Sequence, residues 1–453
     1  MLLALGVLLV HGLYAGGFGW NQNARLGAIF SFVEGGHPET HTVRIDPYVS
    51  IHPRHGLVSQ DWAFFGGHYY SNKAPGLTLF GIPVYVAIHS VILLSGGYSE
   101  SESATSWSAY LLNLVLGVVP TALATAWFFL FLVSRGSSPP DAMARALVLS
   151  FATLLFPFDT SLWGHATTAS CLLFALTFFE ENPPLCGLFA GAALFTEYQA
   201  GLAAMIFGGA YLLTRRKAVP GYLAGVVVFA VPLLIYQAVV FGSPFTTAFS
   251  LSNPRVLGEG GTFGNFSFLV LAKLLFFPAR GLFVYCPVLL AIFFRRNLRM
   301  SRLHWLCTAQ VGAFLLFLAD FNGWHGGWSS GPRYLIPVLP FLCMTLPDPS
   351  KLPRWGRWIM FGLGLLSVLE MWMVSLVGTL APSDLPHPFA DYFFPRITGI
   401  TPVDPAHFPL VAGFTAQRLV SLAVLLAVIY GLAFRSGWMR ASVSEASKGE
   451  AVP

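Results

Sequence analysis

Charge is what this sequence has least of: Asp, Glu, Lys and Arg make up 10% of its 453 residues. Soluble domains carry about 25%, and a water-facing surface cannot be built from so few. Lipid is therefore the solvent for most of the chain. Cysteine is sparse as well. The five cysteines (Cys171, Cys186, Cys286, Cys307 and Cys343) lie in or beside apolar segments without metal-ligand spacing, and they read as small apolar fillers. No internal repeat is visible, which argues against a transporter built from duplicated halves. No basic region precedes the first apolar run and no convincing small-residue cleavage site follows it, so residues 1–18 read as a first span.

What the sequence does have is apolar length. Hydrophobic residues are 55% of the chain, and mean hydropathy is +0.67. The runs 107–133, 221–241, 359–380 and 410–434 each approach or exceed the ~20 residues that cross a bilayer core. The expected fold is an all-α polytopic membrane protein, a single integral membrane domain over 1–453 with about 12 transmembrane helices. The net charge of +5 reads as a bias of cytoplasmic loops, not as nucleic-acid binding. Basic clusters fall at Arg135 and Arg145, 215–217, 295–302, 351–357 and 435–448, and the positive-inside rule places all five in the cytoplasm. Spans near 409–434, 356–380, 333–347, 304–320, 281–294 and 219–241 then alternate correctly. The loops 242–264, 321–332 and 381–408 lie outside, and 435–453 is a cytoplasmic tail. Run 185–213, with Glu197 in its middle, is either two short spans or one. Two is the preferred reading; it makes 75–95 a re-entrant or interfacial helix and leaves 19–73 as an external loop. One would make 75–95 a span and strand Arg135 outside.

The external loop 19–73 concentrates the unusual chemistry. Loops of this length are usually functional or disordered, and its aromatics and glycines predict that it folds onto the membrane surface, with 24–33 as an interfacial helix. It closes on Gly66-Gly67-His68-Tyr69-Tyr70-Ser71-Asn72-Lys73. A lone Lys before an apolar run is by default a snorkelling anchor, but small residues let backbone approach a ligand, and an ammonium is a point charge for phosphate. Asp46 and Asp61 are the only aspartates in this loop. Each reads as a turn residue or as a general base for an acceptor hydroxyl. A second concentration, 320–334, holds Trp324, His325, Trp328 and Arg333 among several glycines. Its tryptophans are by default an aromatic belt; in a tight Gly loop they can also cover a sugar, with Arg333 pairing to phosphate. His165, the intramembrane acid Glu197, and Arg280 in a break of an apolar region are secondary candidates.

At these residues the chain resembles bacterial membrane-embedded glycosyltransferases of the GT-C superfamily, in particular the family-39-like group related to protein mannosyltransferases and the lipid A aminoarabinose transferase. The segments that carry the resemblance are 67–76 and 324–334. The resemblance implies inverting transfer from a polyprenyl-phosphate sugar donor to an acceptor glycan, lipid or protein on the external face of a bacterial inner membrane. It implies an acid in the first loop as base, Asp61 or Asp46, with Asp61 favoured because it lies 12 residues before Lys73. It implies Lys73, aided by Arg333 or Arg280, as the donor-phosphate site. His68, Tyr69, Tyr70, Asn21, Trp324, His325 and Trp328 would line the sugar and acceptor pocket. Relatives often carry an acidic pair after the first span; here that place holds Asn21-Gln22, and amides are not bases. No cofactor is required; a divalent metal stays open as a reading, although no ligand cluster for one is visible in the sequence. The alternative reading is a flippase or transporter of a lipid-linked saccharide. An O-antigen ligase or polymerase would need a larger basic late loop than 381–408.

Overall fold

The structure, a computed structural model, describes residues 1–14, 19–35, 41–254, 262–294, 301–400 and 414–435. The tail beyond Arg435, residues 295–300 and the end of the 381–408 loop lie outside the described residues.

Helix starts follow local chemistry. Ser101, Ser138 and Asn182 each accept a backbone N–H of the following turn, and paired prolines follow Ser138 and Asn182. A short polar cap followed by proline at the first helical position is a strong start signal. In chain order the first half is α1 (Leu2–His11), α2 (Trp20–Glu34), β1 (Trp62–Phe65), β2 (His68–Ser71), α3 (Gly76–Leu94), α4 (Glu102–Asn113), α5 (Val119–Ser134), α6 (Pro139–Phe151), α7 (Leu155–Asp159), α8 (Gly164–Phe178), α9 (Pro183–Thr196), α10 (Ala200–Thr214) and α11 (Val219–Phe241). The helices Phe268–Phe276, Arg302–Asp320, Leu339–Thr345, Arg354–Val377 and Phe414–Arg435 carry most of the rest.

Among the described residues, five helices are long and apolar enough to cross a membrane, and six apolar helices are shorter. The expected dozen full crossings are thus not all present as such. Residues 281–294 form one short helix and a 3-10 stretch, and 333–347 divides in the same way. The physical reason lies in where the short helices stop. α8, α9 and α10 have 14 or 15 residues, about 22 Å against a ~30 Å core. α9 ends, and α8 and α10 begin, beside the Arg25, His165 and Glu197 side chains, where irregular backbone is buried in protein.

Two ends of the bundle are distinct. At one, Arg135 pairs with Glu180, Arg215 donates to the carbonyls of Phe179 and Glu180, and Asp348 accepts from Ser137, Arg145 and Lys351. Three basic loops, those of Arg135, Arg215 and Lys351, therefore meet at a single end. From there α9 runs to Glu197 and α10 returns to Arg215, so 185–213 is two helices with Glu197 at their junction. α3 is long enough to span, but it packs along α2 and both its ends lie near the first loop. Gly76 abuts Phe195, Tyr85 donates to Glu34, and the stretch that follows ties back through Arg54–Glu100 and His55–Thr105.

Two expectations need correction. The helix expected at 24–33 exists as α2, but protein covers it where an exposed apolar face was expected: Asn21–Ser31 is buried throughout. Ile29, Phe30, Tyr48, Leu77 and Tyr85 form a core of their own around it, each large apolar side chain stabilising by about 2 kcal/mol. A Cβ on Gly27 would sit 2.8 Å from the Tyr48 ring, so only glycine admits that approach. The all-α reading also missed the hairpin β1–β2.

Candidate active site

The hairpin is what joins the first acid to the first cation. Gly66 and Gly67 have φ of +59° and +85°, the positive values that a tight two-residue hairpin turn requires. Trp62 pairs with Ser71. One step further out, the Asn72 N–H donates to the Asp61 carbonyl at 3.2 Å, while the Ser59 hydroxyl accepts from the Asp61 N–H. Residues 12 apart in sequence thereby become neighbours: Lys73 Nζ lies 2.9 Å from Asp61 Oδ2, with the side chains 12% and 13% exposed. The pair is nearly enclosed but reachable. Burial would raise the Asp61 carboxyl; the Lys73 ammonium beside it, with Arg333 and Arg25 further off, outweighs this and holds it below the ordinary carboxylate value.

A second ion pair stands in the same field. α2 brings Arg25, which is fully buried; its Nη1 donates to Asn21 and its Nη2 lies 2.7 Å from Glu197 Oε1. Glu197 reaches it because the helix pair α9–α10 breaks there. Gly164 makes the space: a Cβ at that position would stand 2.0 Å from Glu197 Oε1 and 2.9 Å from Arg25 Nη2. His165 follows at the start of α8, its Nδ1 3.8 Å from Glu197 Oε1, too long for a hydrogen bond.

The late loop supplies the third cation. Arg333 lies over Trp163 at 4.8 Å and over Tyr334 at 5.0 Å, and donates to the Tyr334 hydroxyl at 3.1 Å. Cation–π contact of this kind holds a guanidinium without neutralising it. Arg25, Lys73 and Arg333 thus face two carboxylates, Asp61 and Glu197. Three positive charges against two negative leave one over, a balance suited to a singly charged anion. Among the described residues, no group of three or more His, Cys, Asp or Glu is placed to hold a metal.

Of the residues named from sequence, the structure gathers Asp61, Lys73, Arg333, His165 and Glu197 into one charged cluster. Asn21 stands behind them, holding Arg25. Others are engaged elsewhere. Asp46 accepts the Tyr69 N–H at 3.1 Å and lies 3.4 Å from His68 Nδ1, so it braces the hairpin from its more exposed side. Tyr70 packs on Phe241, and Tyr69 on Trp62 and Phe64. Arg280 is nearly buried and donates to the carbonyls of His325, Gly327 and Ser329; its fork is spent on shaping the late loop. His325 Nδ1 accepts the Gly327 N–H, Trp324 lies under the Lys273 ammonium, and Trp328 is 62% exposed. Sequence reasoning passed over Arg25. Its signal was a single cation in an otherwise apolar stretch, Leu26 to Val33, where a charge needs a partner. Trp163, two residues before His165, was passed over as well.

No family model matches the chain, and no curated protein matches it. Among solved structures, the crystal structure of ArnT from Cupriavidus metallidurans bound to undecaprenyl phosphate shares its fold. The match has a TM-score of 0.52 at 14% identity, over 96% of this chain and 71% of that one. The fold is therefore the one that the resemblance to GT-C membrane glycosyltransferases led us to expect.

Proposed function

We propose that this protein is a membrane glycosyltransferase that moves a sugar from a polyprenyl-phosphate donor to an acceptor hydroxyl, with inversion, on the face of the membrane opposite the basic loops. The observation that carries the reading is the nearly buried Asp61–Lys73 pair in the same charged cluster as Arg333, which rests on the Trp163 ring. The ArnT fold, solved with undecaprenyl phosphate bound, supports a lipid-phosphate ligand.

In this reading the donor phosphate takes Lys73 and Arg333 as its partners. Lys73 turns from Asp61 to the phosphate, and Asp61 loses the charge that lowered its proton affinity. The acceptor oxygen attacks the anomeric carbon as Asp61 takes its proton. The carbon–oxygen bond to the phosphate breaks, and the lipid phosphate leaves with its charge stabilised by the two cations. Donor binding and base activation are one event. Asp61 is favoured over Asp46 because Asp46 is committed to the hairpin. Arg280 is better suited to positioning the 325–329 loop than to phosphate. The basic loops gathered at the far end support a cytoplasmic side there and an external active site.

Transfer assays with a polyprenyl-phosphate sugar test the proposal. Asp61→Asn and Lys73→Ala are each expected to slow sugar transfer, and with it the release of free polyprenyl phosphate, by about 10²-fold or more. Near-normal turnover in both would end it. Movement of intact donor across vesicles without its cleavage would favour the flippase reading instead.

A further inference from the structure

Behind the Trp163 ring lies a turn, residues 159–163, that the proposed chemistry does not use. All of its residues are buried. α7 ends at Asp159 and α8 starts at Gly164, so no helical ladder runs through the turn. Distant segments hold its polar groups instead. His11, at the end of α1, lies with Nδ1 2.7 Å from Asp159 Oδ2, both side chains fully buried. Asn113, at the end of α4, donates to the Asp159 carbonyl at 3.0 Å. Gln22 of α2 donates to the Ser161 hydroxyl at 3.0 Å, and Trp163 Nε1 donates to the Thr379 hydroxyl at 2.9 Å.

Of these ties, the His11–Asp159 pair alone has an ionisable group on each side, and stability does not account for it. Taking two such groups out of water costs about as much as their attraction returns, and well-packed apolar side chains in their place are often neutral or stabilising. What a hydrogen-bonded pair adds over apolar contact is direction. His11 has that direction fixed: its ring stacks on Phe156 at 4.4 Å and meets Phe151 edge-on at 5.3 Å. On the other side the π-helical turn Leu114–Val118 closes on the same residue, since a Cβ on Gly117 would stand 2.7 Å from the Asp159 carbonyl oxygen. Four residues beyond Asp159, Trp163 carries the ring under Arg333. Arg333 is placed by that ring and by Tyr334, so a shift of the turn shifts the guanidinium.

We infer that the buried His11–Asp159 pair positions Arg333 for its ligand: it fixes the 159–163 turn, the turn fixes the Trp163 ring, and the ring fixes the guanidinium that takes the donor phosphate. The inference rests on the proposed donor site and adds two positioning residues to it, neither of which touches substrate.

Binding of polyprenyl phosphate to the full chain in nanodiscs tests this, read beside donor KM, kcat and thermal unfolding. His11→Phe alone strands a buried carboxylate, whereas His11→Phe with Asp159→Leu removes the pair without doing so and should fold. The double variant is expected to weaken polyprenyl phosphate binding and raise donor KM by about tenfold, the effect of misaligning one charge-assisted contact. Its kcat should stay within about threefold, because a contact made to the bound phosphate as well as to the leaving one acts mainly on KM. In a Trp163→Leu background the double variant should cost nothing further, since both act through one ring. Asn113→Leu loosens the same turn through a neutral hydrogen bond and should cost binding about threefold. Unchanged binding in the folded double variant, or in Asn113→Leu should the double variant not fold, would overturn the inference. So would a loss that adds in full to that of Trp163→Leu. A wild-type chain that neither binds polyprenyl phosphate nor transfers from its sugar would overturn the donor site as well.

Discussion

The two ends of this bundle use buried arginine in opposite ways. At the basic end, Arg145 donates to the carbonyls of Cys343 and Met344 and to Asp348. It ties α6 to the helix Leu339–Thr345, and these acceptors all belong to the protein. At the other end, Arg333 rests on two aromatic faces, and Lys73 holds an aspartate that a phosphate can replace. A cation ended on backbone carbonyls is a staple; one ended on ring faces or on a displaceable carboxylate is available for chemistry. Arg280 shows that the distinction is not simply one of location. It sits near the site, yet its fork is spent on three loop carbonyls.

The comparison can be broken most directly at Asp61. Replacing a general base typically costs about 10²- to 10⁴-fold. Asp61→Asn should lower kcat by that much while binding of donor is kept; a drop under threefold would remove Asp61 from the chemistry. Lys73→Ala should cost about 10²-fold in kcat/KM, and it also sharpens the pH argument. The Asp61 carboxyl is depressed in the free protein, so the acid limb of kcat/KM should lie below the ordinary Asp value of about 3.9. Removing the ammonium should move that limb to higher pH. The stability linkage has the same sign: the depressed carboxyl contributes stability that is present above its unfolded pKa and is lost as pH falls through the folded one. An unmoved limb in Lys73→Ala would mean that the pair is not electrostatically coupled.

At the staple end the expected effect is on stability instead. Arg145→Ala should destabilise the fold by about 3 kcal/mol, because it takes a buried donor from the carbonyls of Cys343 and Met344 and a cation from Asp348. Activity per folded molecule should stay within about twofold; this is read by thermal unfolding beside single-turnover assays, and a large loss of turnover at full stability would erase the contrast. The smallest effect belongs to Asp46→Asn. The amide oxygen can still accept the Tyr69 N–H, so turnover should fall by less than about threefold. A loss matching that of Asp61→Asn would transfer the base role to Asp46.

Legibility was uneven across the site, for physical reasons. Lys73, Arg333, His165 and Glu197 stand out in sequence because ionisable groups beside apolar runs are costly and few. Arg25 had the same signal but was read as part of a surface helix, since amphipathic spacing does not say whether lipid or protein covers the helix. The aromatic residues were the least readable. Trp163, Tyr69, Tyr70 and Trp328 all look alike in a string, and only packing separates the ring under Arg333 from those in the hairpin and from the one left exposed. The hairpin was missed because four-residue strands leave almost no period to count. The turn glycines 66 and 67 were its one local sign.

By itself the sequence determined the solvent, the helical class and the side on which the basic loops gather. Those follow from composition and from the cost of putting charge or bare backbone into lipid, which hold wherever the chain goes. Only the tertiary structure decided which acid meets which cation. That depends on a two-glycine turn, a break between two helices and a glycine at 164 arriving together, and distances across 172 residues of chain, as between Arg25 and Glu197, are set by packing rather than by local propensity.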